Sequence, residues 1–298
     1  MKSTNTRQLK KALGIGFGIA ILIGGTIGVG ILRTPGPIAG MLNNNWLIIT
    51  CWALGGIYVL IGAGCYAELA TMLPKAGGSY NYVKRAFGDY AGFIIGWFDY
   101  LTNAIAPAFL CIVISEYVVE ILPFLKNQTT LISITFLIAF TLLHAQGIKS
   151  GSVTQQVTSV IKVLFFVGFI SACFMYSGVQ LNTIEKESSI FETGVIIGFF
   201  KSLQMVLGSF DGWNEGCFFA EEDENPVKNI PKALYTGAAI VIVIYIVINI
   251  AFLYVLPASA IANSPLAASD VAKIIFGDQG AFIVTLIAIF SIISILNA

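Results

Sequence analysis

The chain has 298 residues, of which 57% are hydrophobic and 11% are charged, whereas a soluble domain typically carries about 25% charged residues. The 16 basic and 16 acidic residues cancel, so the chain lacks the positive field that nucleic-acid binding requires. The single histidine, His144, and five scattered cysteines give no spacing typical of a metal site. We expect neither a metal nor a cofactor.

Apolar runs long enough to cross a bilayer as helices recur along the whole chain. Short polar connectors separate them, as helices packed as antiparallel neighbours need. The pattern predicts an all-α polytopic membrane protein embedded in a lipid bilayer. The eight predicted helices cover residues 13–40, 45–73, 89–121, 129–147, 152–178, 193–219, 233–256 and 278–298.

Lysine and arginine positions predict how these helices are oriented. Four basic segments alternate on one side: the tail 1–12, the connector 75–85, the turn at Lys149 and the connector 228–232. The connectors with Lys126 and with residues 185–187 fall on the other side. We therefore expect a cytoplasmic N-terminal tail and a location in the plasma (inner) membrane.

The last predicted helix has no polar flank after it, because Asn297 and Ala298 directly follow an apolar stretch. We expect the chain to stop inside its eighth helix and to be a fragment of a longer protein.

Glycine is concentrated in the first predicted helix, at Gly24, Gly25, Gly28 and Gly30 of GGTIGVGIL. Each glycine costs about 1 kcal/mol in a helix interior relative to alanine, so the cluster predicts local unwinding near the middle of the bilayer. Unwound backbone at that depth is tolerated where it is buried in protein or lines a cavity. It therefore indicates a binding site. The alternative is close helix packing through the GxxxG spacing of Gly24 and Gly28.

An unwound helix offers both of its new ends to a ligand. The N–H groups of Gly28, Val29 and Gly30 would present the positive end of the second half-helix to a carboxylate. Carbonyls of residues 23–26 would accept hydrogen bonds from an ammonium group. A zwitterion matches both ends, which favours an amino acid.

The sixth predicted helix is interrupted in the same way, by the small and acidic residues of 208–213, GSFDGW. Two interrupted helices in corresponding positions of two groups of five indicate an inverted-repeat transporter with its site between them. Asp211 would either contact the substrate ammonium or cap the second half-helix.

Lys162 lies within the fifth predicted helix. A charge inside the bilayer costs at least about 2.5 kcal/mol on insertion scales, so Lys162 needs a polar interior and a partner. Burial would let it exchange protons or stand where a sodium ion would bind. The alternative is a lysine that extends to the cytoplasmic interface.

The acidic run 221–224 could hold a divalent cation or act in acid-base chemistry. Solvated charge at a helix end is the simpler interpretation, because the run lies in a predicted cytoplasmic connector.

These motifs together resemble the amino acid-polyamine-organocation superfamily of transporters over essentially the whole chain. GGTIGVGIL followed by TPGPIAG resembles its first helix, and AELATMLPKAGGSYNYVKRAFG with GFIIGW resembles its second and third helices. FDGWNEGCFFAEEDENPVKNIPKAL resembles the L-type amino acid transporter branch and its bacterial relatives. The resemblance implies a LeuT-like fold of two inverted five-helix repeats, with discontinuous helices 1 and 6. Residues 13–178 would be the first repeat and 193–298 an incomplete second repeat.

The resemblance also implies roles for single residues. The substrate carboxylate would bind the N–H groups of Gly28, Val29 and Gly30, next to Thr26 and Ile27. The amine would meet carbonyls near Thr26 and those of Gly208, Ser209, Phe210 and Asp211. Lys162 matches a family lysine that takes the place of a sodium ion and takes part in proton coupling in some members.

Two positions depart from the family pattern. Val29 stands where relatives often carry serine or threonine, so one hydroxyl is missing from the carboxylate site. Gly208 stands where the L-type branch often has an aromatic gate, and Phe210 is the nearest aromatic residue.

The sequence thus predicts a secondary active transporter that moves amino acids by alternating access, through proton-coupled symport or amino acid exchange. A channel is one alternative, although no ring of charges or filter sequence is present. A membrane-embedded enzyme is another, although HExxH and GxSxG motifs are missing. A partner subunit is not predictable from the sequence.

Overall fold

The computed structural model describes residues 11–145, 148–178, 193–264, 266–277 and 279–297. These residues form α-helices and two 3₁₀ segments, and within them the only extended pairing is an isolated bridge between Leu13 and Asp223. Residues 1–10 of the predicted tail and the connector 185–187 lie outside the described residues, as does Ala298.

In chain order the helices are α1 (Ile15–Thr26), α2 (Gly30–Arg33), α3 (Pro35–Leu42), α4 (Asn45–Met72), α5 (Ser79–Phe87), α6 (Asp89–Ile121), α7 (Thr129–Ala145), α8 (Ile148–Met175), α9 (Thr193–Ser209), α10 (Pro226–Val255), α11 (Ala258–Ala262), α12 (Ala267–Phe276) and α13 (Gln279–Asn297). The 3₁₀ segments cover Pro123–Gln128 and Glu215–Phe219.

Six helices in the described part of the chain are long and apolar enough to cross a membrane: α4, α6, α7 with the 3₁₀ segment before it, α8, α10 and α13. Two further apolar helices, α1 and α9, are too short to do so. Both lie in segments that the sequence predicts to be interrupted. The all-α polytopic architecture predicted from the sequence is therefore confirmed.

The helices α5, α11 and α12 lie in predicted connectors. In addition, α10 begins at Pro226 rather than at the predicted residue 233. Proline suits the first position of a helix because its missing N–H has no partner there in any case. The polar residues that follow Pro226 hid this start from a prediction based on apolar runs.

The core lies around α10, which packs along α1, α4 and α8. Every residue of α1 from Ala20 to Thr26 is buried, so this short helix is enclosed by its neighbours. α7, in contrast, buries none of its described residues, and its exposed leucines and isoleucines suit a lipid environment. The first broken helix is thus at the centre of the described part of the protein.

Close approach of helices explains one glycine of the TPGPIAG motif. A Cβ built at Gly36 in α3 would lie 2.6 Å from the carbonyl oxygen of Ser264, which follows α11. Backbone cannot move aside as a flexible side chain can, so only glycine fits at this contact.

We therefore expect Gly36→Ala to destabilise the protein by roughly 1–3 kcal/mol, the usual cost of overpacking. Gly168→Ala is the matched control, because a Cβ on this α8 residue would meet no atom within 4 Å. Thermal unfolding in detergent, followed by size-exclusion chromatography, measures both. Equal melting temperatures for the two variants would show that the α3–α11 contact is wrong.

Candidate functional site

The first break lies between α1 and α2. α1 ends at Thr26, residues 27–29 form bends, and a new helix begins at Gly30. Thr26, Ile27 and Gly28 are buried, whereas Val29 and Gly30 are partly exposed. The glycine cluster therefore interrupts the helix where the sequence predicts. Its second half continues from α2 into α3 with only Thr34 between them.

The second break follows α9. The helix ends at Ser209, residues 210–214 form turns, and a 3₁₀ segment starts at Glu215. Gly212 has a φ of +97°, a conformation that favours glycine strongly. A Cβ on Gly212 would lie 2.8 Å from the carbonyl carbon of Gly25. The two breaks therefore lie directly against each other, with a glycine from each at the contact.

Lys162 joins α8 to the first break. Its side chain is 1% exposed, and its Nζ donates hydrogen bonds to the carbonyls of Gly24 at 2.7 Å and Ile27 at 2.5 Å. The alternative of a lysine that extends to the cytoplasmic interface is therefore wrong. The lysine instead satisfies carbonyls that the interrupted helix leaves without donors.

A polar stripe on α8 continues this contact towards the start of α1. Ser159 Oγ donates to the carbonyl of Ala20 at 2.7 Å, and Gln155 Nε2 contacts the same oxygen at 3.4 Å. Gln155, Ser159 and Lys162 follow helical spacing, so they share one face of α8. The spacing is visible in the sequence, but only Lys162 was predicted as a functional residue. Gly24 makes the close approach possible, since a Cβ there would overlap the Gln155 amide.

The packing alternative for the glycine cluster is therefore also supported. A Cβ at Gly28 would lie 2.6 Å from Cδ1 of Ile295 in α13. Gly24 and Gly28 both weaken the helix and let neighbouring helices approach it.

Tyr245 of α10 joins the two breaks, and sequence reasoning missed it. Its buried hydroxyl lies 2.8 Å from the carbonyl oxygen of Thr26 and 3.0 Å from that of Ser209, so its single proton is shared between two acceptors. The ring packs against Phe210, with centroids 4.8 Å apart, and against Trp52, at 5.4 Å. One weak signal was available: a tyrosine with an asparagine four residues later in the aliphatic run VIVIYIVINI.

The predicted residues of the second break have different surroundings. Ser209 is buried, and its Oγ contacts Thr34 Oγ1 at 3.1 Å. Phe210 is buried against Trp52 and Tyr245. Gly208 is exposed and a Cβ there would meet no atom within 4 Å. It therefore borders open space where relatives often carry an aromatic side chain.

The structure does not show the predicted helix cap at Asp211, and the predicted contact of Asp211 with a substrate ammonium stays a prediction. Its Oδ1 accepts the N–H of the next residue, Gly212, at 3.1 Å, and the side chain is exposed. The 3₁₀ segment that follows has no side-chain cap, so the prediction that Asp211 caps the second half-helix is wrong. The carboxylate instead stabilises the turn in which it lies.

Glu215 was also missed, although it is an acidic residue directly after an interruption in an apolar segment. Its carboxylate presses against Gly25, where an added Cβ would overlap it. Within the described chain, Oε2 of Glu215 is buried without a hydrogen-bond partner. Lys162 and Asp211 both interact with it electrostatically.

The acidic run 221–224 organises the connector before α10 rather than remaining fully solvated. Asp223 is buried, and its Oδ1 accepts hydrogen bonds from Asn225 N and Asn229 Nδ2 at the start of α10. Glu221 accepts the N–H of Ala76 at 3.1 Å. Partial burial raises the pKa of Glu222, and the nearby Glu221 carboxylate raises it further. The run therefore has a structural role.

The described ranges contain no group of three or more histidine, cysteine, aspartate or glutamate side chains that could hold a metal ion.

The sequence is similar to known proteins along nearly all of its length. A family model described as "Amino acid permease" matches residues 13–298. The serine/threonine exchanger SteT of Bacillus subtilis (strain 168) is 29% identical over 99% of this chain and 66% of its own length. The b(0,+)-type amino acid transporter 1 of Homo sapiens is 30% identical over 98% of this chain and 61% of its own length.

A third relative is the large neutral amino acids transporter small subunit 2 of Mus musculus. It is 28% identical over 91% of this chain and 52% of its own length. The chain thus spans between about half and two thirds of the length of these relatives.

Removing the Tyr245 hydroxyl should destabilise the contact between the breaks. Tyr245→Phe keeps the ring but leaves the carbonyls of Thr26 and Ser209 without this donor, which costs about 1–3 kcal/mol when the groups stay buried. We expect a lower melting temperature in detergent. Tyr235→Phe, at an exposed position of the same helix, should melt like the unsubstituted protein. A melting temperature that Tyr245→Phe leaves unchanged would contradict the role of this hydroxyl.

Proposed function

Because the chain belongs to the amino acid permease family, we propose that it forms the transport site of a secondary transporter that moves amino acids across a membrane by alternating access. The observation that carries this proposal is the direct contact between two broken helices inside a bundle of membrane-spanning helices. The family match also confirms the resemblance to the amino acid-polyamine-organocation superfamily and its L-type branch. Members of this family are transporters rather than enzymes.

The proposed carboxylate site is the start of the second half of the first helix. Gly28 is buried there, whereas Val29 and Gly30, the first residue of α2, are partly exposed. The N–H groups at a helix start have no partner within the helix, and the helix dipole favours an anion beside them. A substrate carboxylate would accept hydrogen bonds from this backbone. Such binding needs no side-chain hydroxyl, which suits Val29.

The proposed amine site is formed by the carbonyls that end the first halves of both helices. Two of these carbonyls, from Thr26 and Ser209, already lie at hydrogen-bond distance from the Tyr245 hydroxyl. A substrate ammonium has three donors, so it can replace or share this hydroxyl. Competition between ammonium and hydroxyl would connect substrate binding to the packing of α10 between the breaks.

The relatives and the repeats support further parts of the proposal. SteT is named as a serine/threonine exchanger, which supports exchange, whereas a buried Lys162 supports proton-coupled symport. We propose residues 13–178 as a first five-helix repeat and 193–298 as part of a second. The broken helices occupy the first and sixth positions, as the repeat requires. The basic connectors support a cytoplasmic N-terminus in the plasma (inner) membrane.

Uptake of a radiolabelled amino acid panel into proteoliposomes with the full-length protein tests this function. We expect saturable uptake of at least one neutral amino acid, accelerated by internal unlabelled amino acid, because a carrier alternates between two sides. A channel would show no such counter-flow. Failure to take up any amino acid of the panel would contradict the proposal that the protein transports amino acids.

The same vesicles distinguish the two coupling modes. Acceleration by an inward pH gradient that Lys162→Ala abolishes would support proton symport that depends on this residue. Strict dependence on internal amino acid, with no response to the gradient, would support exchange. Size-exclusion chromatography of Lys162→Ala verifies that the variant is folded.

A further inference from the structure

Glu215 lies at the contact between the two breaks. It begins the 3₁₀ segment that follows the second break, and its carboxylate lies against Gly25 near the end of α1. As a whole the residue is half-buried, while its Oε2 atom is buried. A carboxylate in this position has one oxygen inside the site and a side chain that solvent can partly reach.

The hydrogen bonds of Glu215 and Lys162 differ. Lys162 Nζ donates to two carbonyls of the first break, so loss of a proton would weaken contacts that support the interrupted helix. Glu215 Oε2 has no hydrogen-bond partner among the described residues. A proton can therefore bind to Oε2 without breaking an existing hydrogen bond. A protonated carboxyl also gains a hydrogen-bond donor.

Few charges act on Glu215. Among the described residues, Lys162 of α8 attracts it and Asp211 of the second break repels it. Among the described residues, the one ion pair within 4.0 Å joins Lys84 to Asp89. Lys162 and Glu215 therefore attract each other over a longer distance, without forming an ion pair. The 3₁₀ segment also packs against α1, α4 and α10.

Those three helices add no further charge near Glu215. α1 has no titratable side chain. Glu68 of α4 and the lysines of α10, Lys228 and Lys232, are exposed. Tyr245 of α10 already directs its hydroxyl to the carbonyls of Thr26 and Ser209. The charge state of Glu215 therefore depends on its burial first, and then on the charges of Asp211 and Lys162.

We propose that Glu215 is the proton-binding site of the transport cycle, an inference that rests on the proposed amino acid transport. A proton from the outer solution forms an O–H bond at the carboxylate, crosses with the amino acid, and returns to water on the inner side when that bond breaks. Protonation removes the negative charge that attracts Lys162 across the two breaks. The packing of Gly25 against the second break therefore changes with the proton, which couples proton binding to the movement of the broken helices.

Parallel measurement of amino acid and proton influx tests this assignment. Proteoliposomes with the full-length protein contain a pH-sensitive dye and face an inward pH gradient, and radiolabelled neutral amino acids are supplied outside. We expect the unsubstituted protein to import a proton with each amino acid. Glu215→Gln keeps the size of the side chain but cannot ionise. It should lose both proton influx and acceleration by the gradient.

Two further variants separate proton binding from folding. Glu224→Gln, at an exposed position in the connector before α10, should behave like the unsubstituted protein. Glu215→Asp keeps the carboxylate, so it should retain proton influx with a shifted pH of half-maximal uptake. If Glu215→Gln does not fold, this pH profile decides the question, and an unshifted profile overturns the proposal.

Proton influx that persists in Glu215→Gln would overturn the proposal, as would uptake by the unsubstituted protein without any proton influx. In both cases amino acid transport would still stand. Absence of saturable uptake by the unsubstituted protein would instead overturn the proposed function, and the proton site with it.

Discussion

Backbone carbonyls inside a bilayer need hydrogen-bond donors, and each broken helix leaves carbonyls at its end that the helix itself cannot satisfy. The structure supplies these donors from two other helices. Lys162 of α8 donates to the carbonyls of Gly24 and Ile27, and Tyr245 of α10 lies between those of Thr26 and Ser209. Because these bonds stabilise the interruptions, they also determine where a substrate can meet free backbone groups.

The buried charges depend on the same arrangement. An isolated ammonium in the protein interior is costly, and removal of one partner from a buried pair is more damaging than replacement of both. Lys162 has two carbonyl acceptors, with Glu215 acting from across the break. A lysine at this depth is therefore tolerated because an unwound helix is beside it. The interruption and the charge stabilise each other.

The parts that sequence reasoning predicted are those with a local cause. Glycine weakens a helix wherever it occurs, so the break after Thr26 was predictable. An interruption was also predictable at 208–213, although the structure keeps Gly208 and Ser209 in α9 and begins the turns at Phe210. Lys162 was predictable because any charge in an apolar run needs a partner. The binding roles of the predicted residues at the two breaks remain predictions.

The parts that were missed depend on contacts between distant segments. Tyr245 meets Thr26 across 219 positions of the chain, and Lys162 meets Gly24 across 138. Nothing in the run VIVIYIVINI shows which carbonyls its tyrosine will reach. Glu215 was passed over because its neighbour Gly25 belongs to another helix. Asp211 was predicted to cap a helix, but its side chain instead accepts a hydrogen bond from the N–H of Gly212 in the same turn.

Protection of a cysteine at Gly208 by amino acid tests the central claim, a substrate site at the contact between the two breaks, most directly. Gly208 borders open space, so Gly208→Cys fits there, and Cys65→Ala removes the one exposed cysteine of the described chain. We predict that a transported amino acid slows alkylation of this cysteine in proteoliposomes, with saturation over the concentration range of uptake, and leaves Gly168→Cys unaffected. Equal alkylation of Gly208→Cys with and without saturating amino acid would contradict a substrate site between the broken helices.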